Sequence, residues 1–291
     1  MVQNCKGAFM NIVRFVLVFL LLLLSDVSAQ EMDQQFEGFN LEGYTDEGEK
    51  SWDVNGSTAD VMGSRIQLTD VNANAYGDQK MNVKADTGMV DQTSGEMELH
   101  DDVIITTEEG TQLMTDSLYW DREDDLVTSE DDVLITDQGL TVSGVGLEAQ
   151  PGLKRSQINQ NVRALVDMDR IDERDGSGYQ PEKPRRPLTI TSDGPMVIDQ
   201  SKNLATFEEN VIAVQDDQTL KADRMEIYMT DDMNDITEIV CIGNVEIEQG
   251  ENKTYADRAT FNRLTQKLTL SGRPKLILLT EGEGGITSFR N

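Results

Sequence analysis

From Ser51 onward, the apolar residues of the chain fall into short runs rich in Val, Ile, Leu and Thr, and Asp, Asn and Gly separate these runs. Almost no stretch places apolar residues at the three- and four-residue spacing that an amphipathic helix requires. Short runs of β-branched residues bounded by Asp, Asn and Gly are typical of strands and turns. The pattern predicts an all-β protein.

The runs recur with a spacing of about 26 to 33 residues, which indicates a repeated structural unit. In each repeat, one run leads to an Asp, a second apolar pair follows, and a third run contains an acidic or amide corner. The runs that lead to an Asp are Met81–Asp86, Leu113–Asp116, Leu188–Asp193, Leu220–Asp223 and Tyr255–Asp257. The corners of the third runs are Asp101–Asp102, Asp131–Asp132, Glu209–Asn210 and Gly243–Asn244.

The phase of the apolar positions changes once near each Asp. Leu113, Leu118 and Trp120 are separated by five and then two positions, and the same spacing recurs from Leu220 to Ile227. Because residues on one face of a strand are two apart, this change of phase predicts a bend or bulge. Repeated bent strands with one apolar face predict a curved, stacked sheet.

A charged stretch with Gly and Ser, followed by a Pro-rich one, interrupts the repeat between Asp167 and Pro187. Such a sequence cannot bury an apolar core and is typical of a linker. The sequence therefore predicts two β-modules, at residues 48–166 and 188–291, with a linker at residues 167–187. The acidic residues 30–47 are predicted to form a loose segment.

The N-terminus has the layout of a secretory signal. Lys6 and Arg14 precede an unbroken apolar run from Phe15 to Leu24, and Val27–Ala29 suits signal peptidase cleavage. This run is shorter than the roughly 20 residues that cross a bilayer as a helix. We expect residues 1–29 to be a signal peptide that is cleaved after Ala29, with a retained inner-membrane anchor as the alternative.

Charge and composition exclude several classes of protein. The chain has 54 acidic and 25 basic residues, and its formal net charge of −29 would repel a nucleic-acid backbone. Cys5 lies in the leader and Cys241 is alone in the body, so the mature chain can form neither an internal disulfide nor a cysteine-based zinc site. His100 is the single histidine. It excludes a two-histidine metal site and is expected at the surface.

Acidic pairs such as Asp101–Asp102 and Asp131–Asp132 raise the question of catalysis. A sugar hydrolase needs two carboxylates beside the bond that it cleaves, but such a pair should be unique, and these pairs recur in every repeat. Asp side chains bond to nearby backbone and tolerate turn dihedrals, so we interpret the pairs as solvated corners. Calcium binding is the alternative, although the chain has no EF-hand loop and no Gly-Gly-x-Gly-x-Asp run. We predict no enzyme activity, no metal and no cofactor.

Several segments resemble a known family, and they occur in the same order and spacing as in that family. In the first module, the segments that resemble LptC, the periplasmic component bound to the lipopolysaccharide-exporting ABC transporter, are Trp52–Asp60, Thr115–Asp121 and Asp131–Ile135. In the second module, the segments that resemble LptA, the periplasmic bridge protein of OstA type, are Leu220–Asp223, Gly243–Gln249, Tyr255–Asp257 and Leu268–Pro274.

The resemblance implies two open β-jellyrolls of V-shaped strands, with acyl chains held in the apolar interior and modules joined end to end by their edge strands. The implied partners are lipopolysaccharide, the inner-membrane lipopolysaccharide ABC transporter and other Lpt-type jellyroll proteins. The implied location is the periplasm, where the protein would bridge the inner-membrane exporter and the outer membrane. LptC-like and LptA-like modules are usually separate chains, and LptC usually keeps a membrane anchor, so a fusion with a cleavable leader departs from the family pattern.

Residues on the apolar phase are the predicted lipid-binding residues. In the first module they are Val103, Ile105, Leu113, Leu118, Trp120, Val133 and Ile135. In the second module they are Leu188, Ile190, Phe207, Leu220, Met225, Ile227 and Phe261. Core packing is the simpler role for the three aromatic side chains. A β-solenoid surface or adhesion protein, which buries its apolar stripe completely and holds no lipid, is therefore the alternative function.

Overall fold

A computed structural model describes residues 34–45, 47–76, 80–121, 123–137, 139–150, 153–167, 187–231 and 235–277. These residues form seventeen strands and one short 3-10 helix, Gln200–Lys202, so the all-β prediction is confirmed. The chain divides into two compact units. The first contains the described residues up to 137 and residues 145–153, and the second contains residues 139–144 and the described residues from 154 onward.

The first unit is built from seven antiparallel strands that pair in chain order. They are β1 (Gln34–Tyr44), β2 (Lys50–Met62), β3 (Arg65–Tyr76), β4 (Lys80–Asp91), β5 (Met97–Thr107), β6 (Gln112–Asp121) and β7 (Leu126–Asp137). The next strand, β8 (Leu140–Gln150), is divided between the two units after Gly144.

The second unit begins with β9 (Arg155–Val166), which pairs with both β10 (Leu188–Ser192) and β11 (Met196–Asp199). These two short strands also pair with β12 (Leu204–Gln215), so together they occupy one interrupted strand position. β13 (Gln218–Met229), β14 (Ile236–Gln249) and β15 (Asn252–Asn262) follow in order, and β16 (Lys267–Ser271) and β17 (Lys275–Ile277) both pair with β15. Pro195 and Pro274 lie at the two interruptions, as expected of a residue without a backbone N–H.

The pairing register shifts where the sequence predicts a bend. Glu209 and Asn210 together lie opposite Asp223, because the flanking paired residues are three positions apart on β12 and two on β13. Both have positive φ, 66° and 50°, as do Asp101 and Asp102, which bulge in the same way on β5. Two residues opposite one define a β-bulge, which bends its strand. The predicted bends are therefore confirmed. The strands continue through Asp86, Asp116, Asp223 and Asp257, whereas β10 ends just before Asp193.

Buried residues flank each bend on one side of the sheet, which we call the inner face. They are three apart on strands without an extra residue: Ala85 and Gly88, Thr115 and Leu118, Ala222 and Met225, Ala256 and Ala259. They are four apart on strands with a longer corner: Leu99 and Val103, Ser129 and Val133, Phe207 and Val211, Cys241 and Val245. The extra corner residue keeps both flanking side chains on the inner face, and the two spacings alternate from β4 to β7 and from β12 to β15.

The structure differs from the sequence prediction in two places. Residues 34–44 form β1 and pair with β2 over ten positions, so the prediction of a loose segment is wrong for them. The physical reason is that Phe39 packs over Gly56, where a Cβ atom would come within 2.8 Å of its ring. The second compact unit also includes β9, which precedes the predicted linker, because β9 pairs with β10 and β11. The predicted signal peptide, residues 1–29, and residues 168–186 of the predicted linker lie outside the described residues.

Candidate functional site

The inner face of the first unit consists of apolar rows that run across the strands. One row follows the backbone pairing from β2 to β7 through Val54, Ala73, Val83, Ile105, Leu113 and Ile135. On the other side of the bends a second row runs through Val61, Ile66, Val90, Met97, Trp120 and Val127. Between the rows, the buried cluster includes Leu68, Val71, Leu99 and Val103. Each strand thus has a packed centre and two less buried arms.

The second unit has the same rows, although part of each arm row is buried: Ala164 and Ile190 in one, and Ala205 and Ile227 in the other. One arm row contains Ala164, Ile190, Ala213, Leu220 and Ile247, and the other contains Ile198, Ala205, Ile227, Ile239, Phe261 and Leu268. Beside the bends, a third row contains Ile158, Met196, Phe207, Met225, Cys241, Ala259 and Leu270. Phe207 is only 2% exposed, so the large side chains at the bend pack against one another.

All fourteen predicted lipid-binding residues lie in strands on the inner-face phase, but their burial divides them into two sets. The buried set is Val103, Leu118, Val133, Ile190, Phe207, Met225 and Ile227. The partly buried set is Ile105, Leu113, Trp120, Ile135, Leu188, Leu220 and Phe261. Buried side chains contact other protein atoms, so the partly buried set offers apolar surface to a further molecule.

The sequence reasoning missed the inner-face residues of β2 to β4 and several of β14. They include Val54, Leu68, Val71, Val83, Ile239 and Ile247. In β2 and β3, Gly, Ala, Asn and Asp interrupt the apolar alternation. The signal that would have found them is the spacing of three or four residues across each bend, which locates Leu68 and Val71 as well as Ala85 and Gly88.

On the outward face of the sheet, ion pairs and hydrogen bonds between side chains connect neighbouring strands. On this side Asp53 is buried, with Lys50 Nζ 2.8 Å from its carboxylate. The Asn74 side-chain amide and the Tyr76 hydroxyl donate hydrogen bonds to it, each at 2.8 Å. These partners, Lys50 first, lower the pKa of Asp53 to about 2. The carboxylate therefore stays ionised and connects β2 to β3.

A second polar cluster lies on the outward side of β13 to β15. Lys253 Nζ lies 3.2 Å from Glu246 and also contacts Glu248. Lys221 Nζ lies 3.8 Å from Glu246 and 3.7 Å from Glu248. The hydrogen bond from Lys253 lowers the pKa of Glu248. Alternating charges across three strands thus cover the outward face, and the inner face remains apolar.

The chemistry of the described residues offers no catalytic centre. They contain no group of three His, Cys, Asp or Glu side chains placed to hold a metal ion. Burial raises the pKa of Cys241 to about 12, so its thiol stays protonated. His100 is exposed, as the sequence predicts, and its Nε2 lies 3.4 Å from Glu98.

The strands at the two ends of the chain expose apolar side chains. β1 pairs with β2 and leaves Phe36, Leu41 and Tyr44 about half exposed. The pairings found for β16 and β17 are all with β15, and Leu276 is 61% exposed. Strands of this kind can pair with a strand of another protein.

Comparison with known proteins assigns both modules. A family model described as "Lipopolysaccharide-assembly, LptC-related" matches residues 21–167, half of the chain. The chain belongs to this LptC-related lipopolysaccharide-assembly family. A second family model, "LptA/(LptD N-terminal domain) LPS transport protein", matches residues 189–286. The chain is therefore an LptC-related module fused to an LptA-like module, as its sequence predicts.

A curated relative agrees with the second match. The chain is 28% identical over 138 residues to a protein of Vibrio cholerae serotype O1 named "LPS-assembly protein LptD". This match covers 47% of the chain and 16% of the relative, so the chain spans about a sixth of that protein. Together the matches show a lipopolysaccharide transport protein, not an enzyme. Among the described residues of this LptC-related protein, no helix has the length and apolar character to span a membrane.

Proposed function

We propose that this protein carries lipopolysaccharide through the periplasm with the lipid A acyl chains lying against its two inner faces. The observation that carries the proposal is that the bends are buried whereas the arms are partly buried, throughout the first unit and at Leu220, Ile239, Ile247 and Phe261 in the second. A closed solenoid would bury the arms as completely as the bends. Here Leu113 and Leu220 on the arms are partly buried, whereas Val103 and Phe207 at the bends are buried.

The energetics favour a multi-chain lipid as the cargo. Each methylene removed from water contributes about 0.8 kcal/mol, so a long apolar face can hold several acyl chains without a catalytic or metal group. The arm rows extend across six strands in the first unit, and across five and six strands in the second. All fourteen predicted residues would take part, the partly buried ones by direct contact and the buried ones by shaping the face.

We further propose that the protein bridges the inner-membrane lipopolysaccharide ABC transporter and the outer membrane by strand pairing with other Lpt-type jellyrolls. The exposed β1 and the exposed β16 and β17 support this, because each presents apolar side chains next to backbone that a further strand could pair with. Export would require the leader, and cleavage after Ala29 is the expected form. N-terminal sequencing of the protein from the cell envelope tests this step, since a retained Met1 in the membrane fraction would indicate an anchor.

Photo-crosslinking in cells that make lipopolysaccharide tests the cargo site. A photoreactive residue at Leu113 or Leu220, on partly buried inner-face positions, should label lipopolysaccharide. The matched controls are the neighbouring Met114 and Lys221, which lie on the opposite phase. Equal labelling at both phases, or none at either, would contradict the proposal and favour a closed solenoid without cargo.

A further inference from the structure

The sign of the charge reverses along the LptA-like module. Residues 204–251 contain thirteen acidic and two basic residues, whereas residues 252–277 contain one acidic and six basic residues. The reversal coincides with the start of β15. In a chain with a net charge of −29, these last strands are a local exception that ordinary solubility does not require.

Two of the six basic side chains are already paired. Lys253 contacts Glu246 and Glu248, and Arg263 lies 3.4 Å from Asp235. The remaining four are exposed and make no ion pair with the part of the chain that the structure describes: Arg258, Lys267, Arg273 and Lys275. Their charge is therefore available to an anion from outside.

These cations border the end of the apolar face. Lys267 pairs with Asn262 and its neighbour Leu268 pairs with Phe261, so Leu268 faces inward and Lys267 outward. In β17, Leu276 continues the inner row and Lys275 lies on the outward side. Leu268 is 49% and Leu276 is 61% exposed. Each of these two edge strands thus has an exposed leucine on the inner face and an adjacent unpaired lysine on the outward face.

Arg273 occupies a bend, directly after a glycine that lies close to Asp257. Gly272 and Arg273 have φ of 78° and 54°, and a Cβ atom on Gly272 would come within 2.3 Å of Asp257. At the equivalent bends of β12 and β14 the second residue is Asn210 or Asn244. The last bend therefore has an arginine at the position where the earlier bends have an asparagine. An Arg guanidinium can donate two parallel hydrogen bonds to a phosphate.

We propose that Lys267, Arg273 and Lys275, which we call the basic lip, bind the phosphate groups of the lipopolysaccharide head group while its acyl chains contact Leu268 and Leu276. This inference rests on the proposed function and adds to it a position for the head group. The acidic outward face of β12 to β14 repels phosphate, so the favourable position is confined to the last strands. Basic residues on an exposed edge also discourage unwanted strand pairing, and that role needs no ligand.

Binding of purified lipids to the full chain separates these two roles. The test variant is Lys267→Gln/Arg273→Gln/Lys275→Gln, and the control Arg65→Gln/Lys80→Gln/Lys84→Gln makes the same change of net charge on exposed residues of the first unit. The ligands are lipid A with both phosphates and the same lipid after phosphatase treatment. We expect the test variant to bind phosphorylated lipid A roughly tenfold more weakly than wild type. The control should bind like wild type, and high salt should reduce the difference.

For the dephosphorylated lipid, test variant and wild type should bind equally. The charge-retaining variant Lys267→Arg/Arg273→Lys/Lys275→Arg should keep binding within about threefold of wild type. Unchanged affinity of the test variant, or an equal loss for both lipids, would overturn the inference. So would an equal loss of binding to phosphatidylglycerol vesicles, which would indicate a membrane-docking surface. Failure of wild type to bind either lipid would overturn the proposed function itself, and the inference with it.

Discussion

Asn244 donates its side-chain amide to both carboxylate oxygens of Asp223, at 2.9 and 3.2 Å, across the bend between β13 and β14. One repeat earlier, the Asn210 side-chain amide donates to one carboxylate oxygen of Asp193, at 2.7 Å. In both cases an amide in the left-handed conformation is held by a carboxylate of the preceding run. The repeated Asp of this sequence therefore has a structural role, which is to fasten the bulge of the neighbouring strand.

Replacing Asn244 with Ala should destabilise the protein by about 1–2 kcal/mol. The substitution removes a hydrogen bond to a charged group, and Ala adopts a positive φ less readily than Asn. Asn244→Gly loses the hydrogen bond but tolerates the backbone conformation, so it should lose less stability than the Ala variant. Denaturant unfolding of the three proteins measures both effects. Equal stability of all three would show that the bend does not depend on this contact.

Phe207→Ala should lower the free energy of unfolding by about 3–5 kcal/mol, since it leaves a cavity in the buried bend row. Leu220→Ala, on an arm that is only partly buried, should cost clearly less. The comparison uses unfolding midpoints of the full chain. An equal loss at the two positions would mean that arms and bends are packed alike, which would remove the main support for a lipid-holding face.

The stability contribution of Asp53 should depend on pH in the acidic range. Its folded pKa, about 2, lies below the model-compound value of 3.8, so the stabilisation is fully present above about pH 4 and is lost as pH falls through about 2. Asp53→Asn should be less stable than wild type at neutral pH, and the difference should shrink between pH 4 and 2. Glu37→Gln, on exposed β1, is the control. A difference that stays constant over this range would contradict the assignment.

A specific protease site inserted next to Gly176, inside the predicted linker, should allow cleavage without separation of the fragments. The N-terminal fragment would retain β9, which pairs with β10 over five residues and with β11 over four. Size-exclusion chromatography after cleavage should therefore show one complex, and mild denaturant should release two folded modules. Immediate separation would show that β9 does not hold the second unit.

Leu276→Pro combined with Leu278→Pro should abolish pairing with partner jellyrolls, since proline removes backbone donors from the exposed edge. β17 makes only three residue pairs with β15, so the unfolding midpoint of the monomer should change little. Photo-crosslinking from Ile277 in the native envelope measures partner capture. Capture that persists in the double variant would exclude edge pairing at this strand.

The bends are a feature of the fold that can be predicted from the sequence. The phase change around Asp116 and Asp223 predicts them, because flanking residues three apart can both be on the inner face only if the strand bends between them. β1 could not be predicted in the same way. Its residues are nearly all exposed, and two aromatic contacts join it to β2, Phe39 over Gly56 and Trp52 over Gly43. Strand pairing there depends on backbone hydrogen bonds and on a glycine of the neighbouring strand, and neither leaves an apolar pattern.

The lipid-binding prediction has a similar limit. Alternation identifies the face on which Ile190 and Leu220 lie, but it gives no measure of how completely each is covered by the neighbouring strands. Ile190 is 1% exposed because Ala164 and Ala213 flank it on paired strands, and this pairing joins residues far apart in sequence. The assignment of β9 to the second unit has the same origin, since its partners follow the predicted linker.

The alternation of three- and four-residue spacings also determines how such a protein can change in size. A strand of one spacing fits next to a strand of the other, so the smallest piece that can be gained or lost without disturbing its neighbours is one hairpin. Adjacent strands lie about 4.8 Å apart, and each added hairpin would lengthen the apolar face by about 10 Å. The length of the apolar face within a module is thus adjustable in fixed increments of one hairpin.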